Sequence, residues 1–465
     1  FKQKTAYEIR LSLVGSEMCI RDRPDTELTR PMTDQLRAEN TRAVLIAILG
    51  NLAASRPLVL LLEDTHWMDS ASWALALEVG RRIPAALLLL ATRPLAEPLP
   101  AAFSELAALA ASRYLRLQPL PDAAILALVS QSLGVDHLPP EVEALIRTKA
   151  EGNPFFSEEL AYALRDSGIL QIAAGECHVA PNINLSQITF PDTVQGVVAS
   201  RIDKLSPPQQ LALKVASVIG RVFAFRVLGA VYPVDVDKPY LATYLEVLQR
   251  LDITPRDLSS LELQYTFKHA ITQEVAYSFL LFAQRRELHT AIAEWYEHSA
   301  TDLTPFYPLL AHHWSQAVDE AQPADPARAR SIHYLALAGE QALRTSAFRE
   351  ARTFFEQALA LTPADAETHE RARLLNNLGE TYFQLSDYNA AQDQLKASLA
   401  LARVVEDRQG IVNALSNLGR VGWQLGTYAE AQLYLEEGLD LATDLHDLTG
   451  VAHILKNLGA VSYTH

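Results

Sequence analysis

A pair of adjacent carboxylates follows an uninterrupted apolar run early in the chain. Leu58 to Leu62 leads directly into Glu63 and Asp64. Such a run is typical of a buried parallel strand, and open α/β sheets bind ligands at the carboxyl ends of their strands. One or both carboxylates there can hold a hydrated magnesium ion beside a phosphate chain. If only one binds the metal, the other can orient a water molecule for hydrolysis. An ordinary strand followed by a polar turn has the same local pattern.

An arginine follows the next apolar run. Residues 86–91 indicate a second buried strand, which is followed by Thr92, Arg93 and Pro94. Because parallel strands end at the same edge of a sheet, we expect Arg93 to lie near Glu63 and Asp64. A cation at that edge can contact a γ-phosphate. Taken alone, Arg93 is better described as a surface residue on a turn.

The elements that would position these groups alternate between helix and strand. Apolar residues at helical spacing predict an amphipathic helix that ends near Ala54, and a second helix is expected over residues 71–82. A helix over residues 101–111 and a third short strand, Tyr114 to Leu117, are expected to follow. Strands that alternate with helices indicate a parallel sheet with right-handed crossovers.

Three short segments, in this order, resemble parts of nucleotide-binding proteins. The run LLLEDTHWMD resembles the Walker B segment of P-loop NTPases, and Arg93 in ATRP resembles the sensor position of AAA-type ATPases. The segment GNPFFSEEL is similar to the Gly-x-Pro motif in the helical lid of the signal-transduction ATPases with numerous domains, the STAND class. The resemblance implies that Pro154 lies against the adenine of ATP or ADP, and that Glu63, Asp64 or both bind Mg²⁺. Glu63 departs from the aspartate that is more usual at its position.

The segment after the lid resembles the winged-helix domain of the same class. The likeness is carried by PDTVQGVVASRIDKLSP and LALKVASVIGRVF, and FKHAI matches the place of a histidine that contacts the ADP phosphate in the resting state. The resemblance gives that contact to His269, and on the motif alone a core or surface histidine is an equal alternative. Winged helices also bind DNA. Because the segment lacks a basic recognition stripe, nucleotide sensing is the favoured interpretation.

A repeat of 40 residues occupies the C-terminal part of the chain. It is marked by four glycines: Gly339, Gly379, Gly419 and Gly459. A large apolar residue follows each of the first three at a constant distance: Phe355, Leu395 and Leu435. This is the tetratricopeptide pattern, in which small residues lie where two antiparallel helices touch and a large residue fills the adjoining hole. The usual period is about 34 residues, so the second helix or the turn should be longer here.

The composition is that of a foldable, acidic protein. The 465 residues are 49% hydrophobic and 20% charged, with a net charge of −15, which argues against broad nucleic-acid binding by the surface. No apolar run is long enough to cross a membrane. Cys19 and Cys177 cannot form a disulfide framework or a zinc cage, which favours a reducing cytoplasm.

The two ends of the sequence differ from its body. Residues 1–23 closely resemble translated sequencing-adapter read-through, so we exclude them from the fold. The sequence contains no GxxxxGK[ST] phosphate-binding loop, and it stops inside a repeat. We therefore expect the native protein to extend in both directions, with the loop upstream of the carboxylate strand.

The sequence predicts a multidomain protein. Its parts are a partial α/β parallel-sheet P-loop NTPase domain, a helical lid, a winged helix and an all-α tetratricopeptide solenoid. The expected segments are an artefact (1–23), the C-terminal part of the AAA-like ATPase domain (24–118), the lid with a hairpin insert (119–190), the winged-helix-like domain (191–296), a helical linker (297–330) and the repeats (331–465).

Two functions are open at this point. The first is part of an ATP-dependent STAND-type switch whose tetratricopeptide array senses a protein or small-molecule signal. Such a switch self-associates when ATP is bound. Its output is transcriptional, cyclase or kinase activity. Without the loop, this chain is expected to be inactive alone, and DNA contact would need an output domain that is not visible in the sequence. The second is a non-catalytic tetratricopeptide scaffold with an ATPase remnant. A phosphate-binding loop in the native gene would distinguish them.

Overall fold

The computed structural model describes residues 34–95, 99–173, 175–181, 191, 193–257, 262–322, 324–363 and 365–464. The proposed artefact 1–23, residues 24–33 of the expected ATPase domain and residues 182–190 of the expected insert lie outside the described residues. The chain divides into two compact units, Phe1–Tyr114 with Asp302–His465, and Leu115–Thr301. Within the described ranges, no helix is long and apolar enough to cross a membrane.

The first unit begins with a small α/β layer. Its elements are α1 (Asp34–Ser55), β1 (Leu58–Leu62), α2 (Ser70–Arg82), β2 (Ala86–Leu90) and α3 (Ala101–Ala107). The two strands are parallel, as expected, with Leu58 opposite Ala86 and Leu62 opposite Leu90. One face of the sheet packs on α1 and α2, where Leu60 lies among buried residues such as Leu49 and Val79. The β1 side chains of the other face, Val59 and Leu61, are each 58% exposed.

The expected third strand, Tyr114 to Leu117, is wrong. The structure leaves this segment outside any sheet, and the side chains of Tyr114, Leu115 and Leu117 are almost fully exposed. Its alternating apolar pattern is typical of a strand, but a strand also needs a neighbour that accepts its backbone hydrogen bonds. The sheet of the α/β layer contains β1 and β2 only among the described residues.

The second unit starts with three helices and a hairpin. These are α4 (Asp122–Leu133), α5 (Pro140–Ala150), α6 (Pro154–Asp166), β3 (Leu170–Ala173) and β4 (Glu176–Val179). Val129, Ile146 and Leu160 form the centre of their common core. The hairpin lies in the segment where the sequence indicates an insert, and Gly175 takes the left-handed conformation in its turn.

The rest of the second unit surrounds a small antiparallel sheet. Its helices are α7 (Val194–Asp203), α8 (Pro207–Ile219), α9 (Phe225–Val231), α10 (Leu241–Arg250), α11 (Ala270–Ser278) and α12 (Phe282–Ser299). The strands β5 (Val222–Ala224), β6 (Arg256–Asp257) and β7 (Gln264–Thr266) pair in the order β5, β7, β6. Leu213, Leu245 and Phe267 are fully buried at the centre. The assignment of this segment as a winged helix stays a prediction.

The remainder of the first unit is entirely helical in its described residues. After α13 (Tyr307–Ala317) come three antiparallel pairs and a further helix: α14 (Pro326–Arg344), α15 (Phe348–Leu361), α16 (His369–Gln384), α17 (Tyr388–Val404), α18 (Arg408–Leu425), α19 (Tyr428–Asp444) and α20 (Leu448–Thr464). The helical repeat predicted from the 40-residue period is therefore present.

Each pair is held by the contact that the sequence predicts between a glycine and a large residue. A methyl group on Gly339 would lie 2.6 Å from the Phe355 ring, and one on Gly379 would lie 2.6 Å from Leu395. Gly419 approaches Leu435 in the same way. Because a side chain at these glycines would push the paired helices apart, the small residue sets their distance.

The extra length of the repeat lies in its helices. The helices α16, α17, α18 and α19 have 16, 17, 18 and 17 residues, whereas short turns join them. Of the two predicted alternatives, a longer second helix or a longer turn, the structure has the longer helix. Each turn is kept short by one residue in the left-handed conformation, such as Ser386 at φ 64° and Gly426 at φ 77°.

We predict that replacing Gly426 with alanine lowers the free energy of unfolding by about 1 kcal/mol, because a Cβ is strained at positive φ. Urea unfolding followed by circular dichroism measures the change. Ser386→Gly is the matched control: it removes a Cβ from the equivalent turn and should not lower stability. Equal unfolding midpoints for the wild type and Gly426→Ala would contradict the argument.

Candidate functional site

The ends of β1 and β2 are tied together beside the predicted carboxylate pair. The Thr65 backbone N–H and hydroxyl both donate to the carbonyl oxygen of Ala91, at 3.0 and 3.1 Å. The Ala91 N–H in turn donates to the carbonyl of Leu62 at 2.9 Å. Thr65 is fully buried. Glu63 and Asp64, which immediately precede it, are thereby held at the end of the sheet.

The three predicted residues of the first unit share this edge of the sheet. Glu63 is exposed and Asp64 is half-buried with left-handed backbone, φ 53°. Arg93 follows the end of the neighbouring parallel strand and is exposed. Acidic oxygens suit a divalent cation and a guanidinium suits an anion. The catalytic, metal-binding and sensor roles of these residues stay predictions.

The helix after the carboxylates is held by a residue that the sequence did not indicate. The backbone N–H and the hydroxyl of Ser70, at the start of α2, donate to the two carboxylate oxygens of Glu350, at 3.1 and 2.8 Å. Asp69 caps the same helix end by accepting from the Ser72 N–H at 2.6 Å. Because Glu350 lies on α15, the first tetratricopeptide pair contacts the helix that follows the acidic strand end. No local pattern could reveal a partner 280 residues away.

The predicted Gly-x-Pro motif forms a tight turn in the second unit. Glu151 and Gly152 both have positive φ, 48° and 79°. The Gly152 carbonyl accepts from the Leu120 N–H at 2.8 Å, and a Cβ on Gly152 would lie 2.7 Å from the Leu120 carbonyl oxygen. Asn153 caps α6 by accepting from the Phe156 N–H at 3.1 Å, and Pro154 is the first residue of that helix.

A cleft of about 650 Å³ lies beside this turn. Its walls include Pro119, Gly152 and Pro154 on one side and Thr193, Val194 and Gln195 at the start of α7 on the other. The lining is both apolar and polar. Pro154 is therefore one of the residues that line this cleft.

His269 lies next to the same turn. Its ring lies against Phe155, the residue after Pro154, with a distance of 3.9 Å between ring centroids and an angle of 43° between the ring planes. Its Nε2 atom is buried and has no hydrogen-bond partner among the described residues. Burial, followed by the nearby Lys268 charge, lowers the pKa of His269 to about 4, with Arg221 and Arg201 acting in the same direction and Asp252 opposing them. The ring is therefore neutral at pH 7.

The structure thus brings the predicted residues together in two groups. Glu63, Asp64 and Arg93 share one sheet edge in the first unit. Pro154 and His269 are neighbours in the second unit through Phe155. The contribution of Phe155 was missed, although its place within the motif was a possible signal.

A second cleft, of about 680 Å³, lies on the helical repeats. Successive first helices of the pairs supply its polar walls, with Glu340, Arg373, Asn377 and Asn413 among the lining residues. The Asn377 amide donates to Glu340 at 3.2 Å, and the equivalent Asn417 donates to Asn376 at 3.2 Å. This surface offers a repeated set of amide and charged groups to a partner.

Parts of the chain match known families. Residues 370–444 match the tetratricopeptide repeat family, and residues 121–178 match a domain of unknown function (DUF8739). The first match confirms the repeat that the sequence predicts. Tetratricopeptide repeats generally mediate protein interactions, which agrees with the expected protein partner.

The chain is also similar to longer proteins. It is 27% identical over 355 residues to an uncharacterised protein of Rhizobium meliloti (strain 1021), covering 72% of this chain and 31% of that protein. It is 21% identical over 299 residues to adenylate cyclase type 10 of Rattus norvegicus, covering 56% of this chain and 18% of that protein. The chain thus spans less than a third of the length of these relatives.

Solved structures show weaker likeness. A STAND protein with a tetratricopeptide repeat sensor from Pyrococcus horikoshii is 12% identical with a TM-score of 0.39, covering 93% of this chain and 67% of that chain. BtubC from P. vanneervenii is 18% identical with a TM-score of 0.29, covering 39% of this chain and 72% of that chain.

We predict that Gly152→Ala lowers the free energy of unfolding by about 2 kcal/mol, because it combines positive φ with a clash against Leu120. Gly168→Ala is the matched control, since Gly168 has φ 71° but open space around it. The control should lower the free energy of unfolding only by the cost of backbone strain. Urea unfolding of both variants tests this, and equal losses would show that the close approach of Leu120 does not matter.

We predict that Glu350→Ala speeds hydrogen exchange at the N-terminal amides of α2 by about fivefold, because loss of a helix cap costs about 1 kcal/mol. Glu356→Ala on the same helix is the control, since Glu356 instead accepts from the Tyr382 hydroxyl at 2.9 Å. Mass spectrometry of peptides that contain Ser70 measures both. Equal exchange in the two variants would show that Glu350 does not hold α2.

Proposed function

We propose that this chain is part of an ATP-dependent regulatory switch of the STAND type, in which the tetratricopeptide array senses a protein or small-molecule signal. The observation that carries the proposal is the buried, unpartnered Nε2 atom of His269 beside Phe155 and Pro154. A buried polar atom without a partner costs about 1–3 kcal/mol. A phosphate oxygen of ADP that accepted from Nε2 would remove this cost.

The geometry of the turn at Gly152 favours base binding at Pro154 in this proposal. Two consecutive residues in left-handed conformation and the close approach of Leu120 hold Pro154 at the mouth of the 650 Å³ cleft. A proline ring gives apolar contact to a flat base and loses little conformational entropy on binding. The residues present therefore suit an adenine.

The neutral state of His269 defines what it can do to a nucleotide. A pKa of about 4 leaves the ring uncharged at pH 7, so the contact with phosphate is one hydrogen bond donated by Nε2. The anionic phosphate would favour the protonated ring and raise its pKa. ADP would then bind with proton uptake as the pH falls toward this raised pKa.

In this proposal, the carboxylate edge of the first unit serves the metal and the γ-phosphate of a nucleotide. Glu63 or Asp64 would hold Mg²⁺, which neutralises charge on the phosphate chain when bound. The second carboxylate would orient water if hydrolysis occurs, and Arg93 would contact the γ-phosphate. Because the binding of ATP and of ADP differs at these residues, they would distinguish the two states.

The exposed face of the sheet is an argument that the native protein has additional α/β elements. Parallel sheets are covered on both faces, whereas Val59, Leu61, Leu87 and Leu89 are each about half exposed on one face of β1 and β2. We propose that elements including a GxxxxGK[ST] loop cover this face in the native protein. Backbone amides and the lysine of such a loop would bind the β- and γ-phosphates.

The helical repeats supply the sensor in this proposal. Their polar cleft offers amide and charged groups to a partner, and self-association in the ATP state is carried over from the class. The output reaction belongs to the whole protein: transcriptional control, a kinase or a cyclase. The similarity to adenylate cyclase type 10 favours a cyclase among these.

A non-catalytic scaffold is the second candidate. It is favoured by the absence of GxxxxGK[ST] from the sequence and by the polar cleft of the repeats. In that case the carboxylates at the end of β1 are relics, and partner binding by the array is the whole function. Reading the source DNA upstream of the Pro24 codon separates the candidates, because the switch requires the loop.

We predict that, in the protein extended to include the loop, His269→Ala weakens ADP binding about tenfold and ATP binding less, because the contact belongs to the resting state. Isothermal titration calorimetry with ADP and ATP measures both affinities. His298→Ala is the control, since His298 is exposed and its ring bonds to the Glu294 carbonyl.

Two results would contradict the proposal. Equal ADP affinity in the wild type and His269→Ala would remove the histidine from the site. Residues 1–465 alone should bind ATP weakly or not at all, so tight magnesium-dependent binding by this chain would overturn the account of the missing loop.

A further inference from the structure

Arg201 is a buried cation that joins three elements of the second unit. It lies on α7 and is 5% exposed. Its Nη1 donates to Glu159 at 2.6 Å and its Nε to Asp166 at 3.2 Å, both on α6. Its Nη2 donates to the carbonyl oxygen of Leu251 at 2.7 Å. The guanidinium thus links the helix that begins at Pro154 to the end of α10.

The end of α10 leads directly to His269. Asp252 follows Leu251 with left-handed backbone, φ 59°, and forms an ion pair with Lys268. The backbone N–H of Lys268 donates to the Ile253 carbonyl at 3.1 Å. Through these contacts, the turn that Arg201 holds at Leu251 also holds the residue before His269.

The α6 side of the link reaches the same histidine from the opposite direction. Phe155 is in the first turn of α6 and its ring contacts His269, and Glu159 is one turn further along the helix. Burial raises the pKa of Glu159 and the adjacent Arg201 charge opposes this. The carboxylate is therefore costly to bury without Arg201.

We propose that Arg201 is a positioning residue that sets the contact between His269 and Phe155, and thereby the orientation of the histidine toward the base-binding turn. The contact between His269 and Phe155 is a property of this chain. Only the claim that this contact orients the histidine toward a bound nucleotide rests on the proposed function. Arg201 touches neither Pro154 nor His269 in the contacts that define the link, so its effect is transmitted through α6 and the Leu251 turn.

Arg165 provides a matched comparison within the same cluster. Both guanidinium groups lie over the Tyr162 ring, Arg165 at 4.9 Å and Arg201 at 5.0 Å from its centroid. Both also contact Asp166, Arg165 at 2.9 Å. Only Arg201 is bonded to Glu159 and Leu251. A role that came from charge near Tyr162 or Asp166 would be shared by the two residues.

The test is a histidine NMR titration of the full chain without nucleotide, with the His269 signal identified by its loss in His269→Gln. The charged groups that act on this ring are Lys268, Asp252, Arg221 and Arg201. We compare the wild type, Arg201→Lys and Arg165→Lys, which keep the charge of each arginine. A lysine at 201 cannot make the three divergent hydrogen bonds, so the ring should leave Phe155 and enter water.

We expect a His269 pKa of about 4 in the wild type, the same value in Arg165→Lys, and a value raised by more than about one unit toward 6.5 in Arg201→Lys. A folded Arg201→Lys protein that keeps the low pKa would overturn the proposal. If Arg201→Lys does not fold, Arg201→Met with Glu159→Leu replaces the buried pair by apolar groups, and an unchanged pKa there is equally fatal to it.

The two proposals fail separately. If Arg201→Lys raises the pKa but His269→Ala leaves ADP affinity unchanged in the protein with the loop, the positioning role stands and the nucleotide assignment falls. If ADP affinity depends on His269 but Arg201→Lys leaves the pKa unchanged, the nucleotide assignment stands and the positioning role falls.

Discussion

Burial of the Arg201 guanidinium is the constraint on which the second unit depends. A buried ion pair gains little over an apolar pair of the same shape, yet removing one partner costs about 3–5 kcal/mol because the other charge is left in a poor dielectric. The three divergent hydrogen bonds to Glu159, Asp166 and Leu251 therefore allow few arrangements of α6, α7 and the end of α10. An apolar contact at this place would give similar stability and leave the helices freer to shift. The ion pair specifies geometry, and the ring contact between His269 and Phe155 is part of that geometry.

The first unit is organised by a different constraint. The ends of its parallel strands and of its helices need hydrogen-bond partners. Thr65 satisfies the strand ends within the α/β layer. The N-terminus of α2 carries a partial positive charge that a carboxylate stabilises, and Glu350 provides it from the repeats. In consequence, the helix after Glu63 and Asp64 is held partly by the array that we propose as the sensor. A movement of α15 would reach the start of α2 through Glu350.

The array itself follows from one small-to-large contact used repeatedly. Gly339, Gly379 and Gly419 each receive a large side chain from the second helix of their pair, so each pair has the same spacing and neighbouring pairs stack regularly. Such arrays are stabilised by contacts between adjacent repeats. Their first helices then present side chains in register, which is why Asn377 and Asn417 occupy equivalent positions in successive repeats and both donate to a preceding first helix.

The sequence by itself determined the features that depend on neighbours along the chain or on a fixed period. Apolar runs located β1 and β2 and placed Glu63, Asp64 and Arg93 at one sheet edge, because parallel strands share direction. The 40-residue interval located the contacts of Gly339, Gly379 and Gly419, because helical periodicity repeats them. Only the tertiary structure decided the contacts between distant segments: Glu350 with Ser70, Arg201 with Glu159, and Phe155 with His269. It also decided that Tyr114 to Leu117 is not a strand. The physical reason is the same in each case, since a hydrogen bond, an ion pair or a strand ladder requires a partner whose position no local pattern encodes.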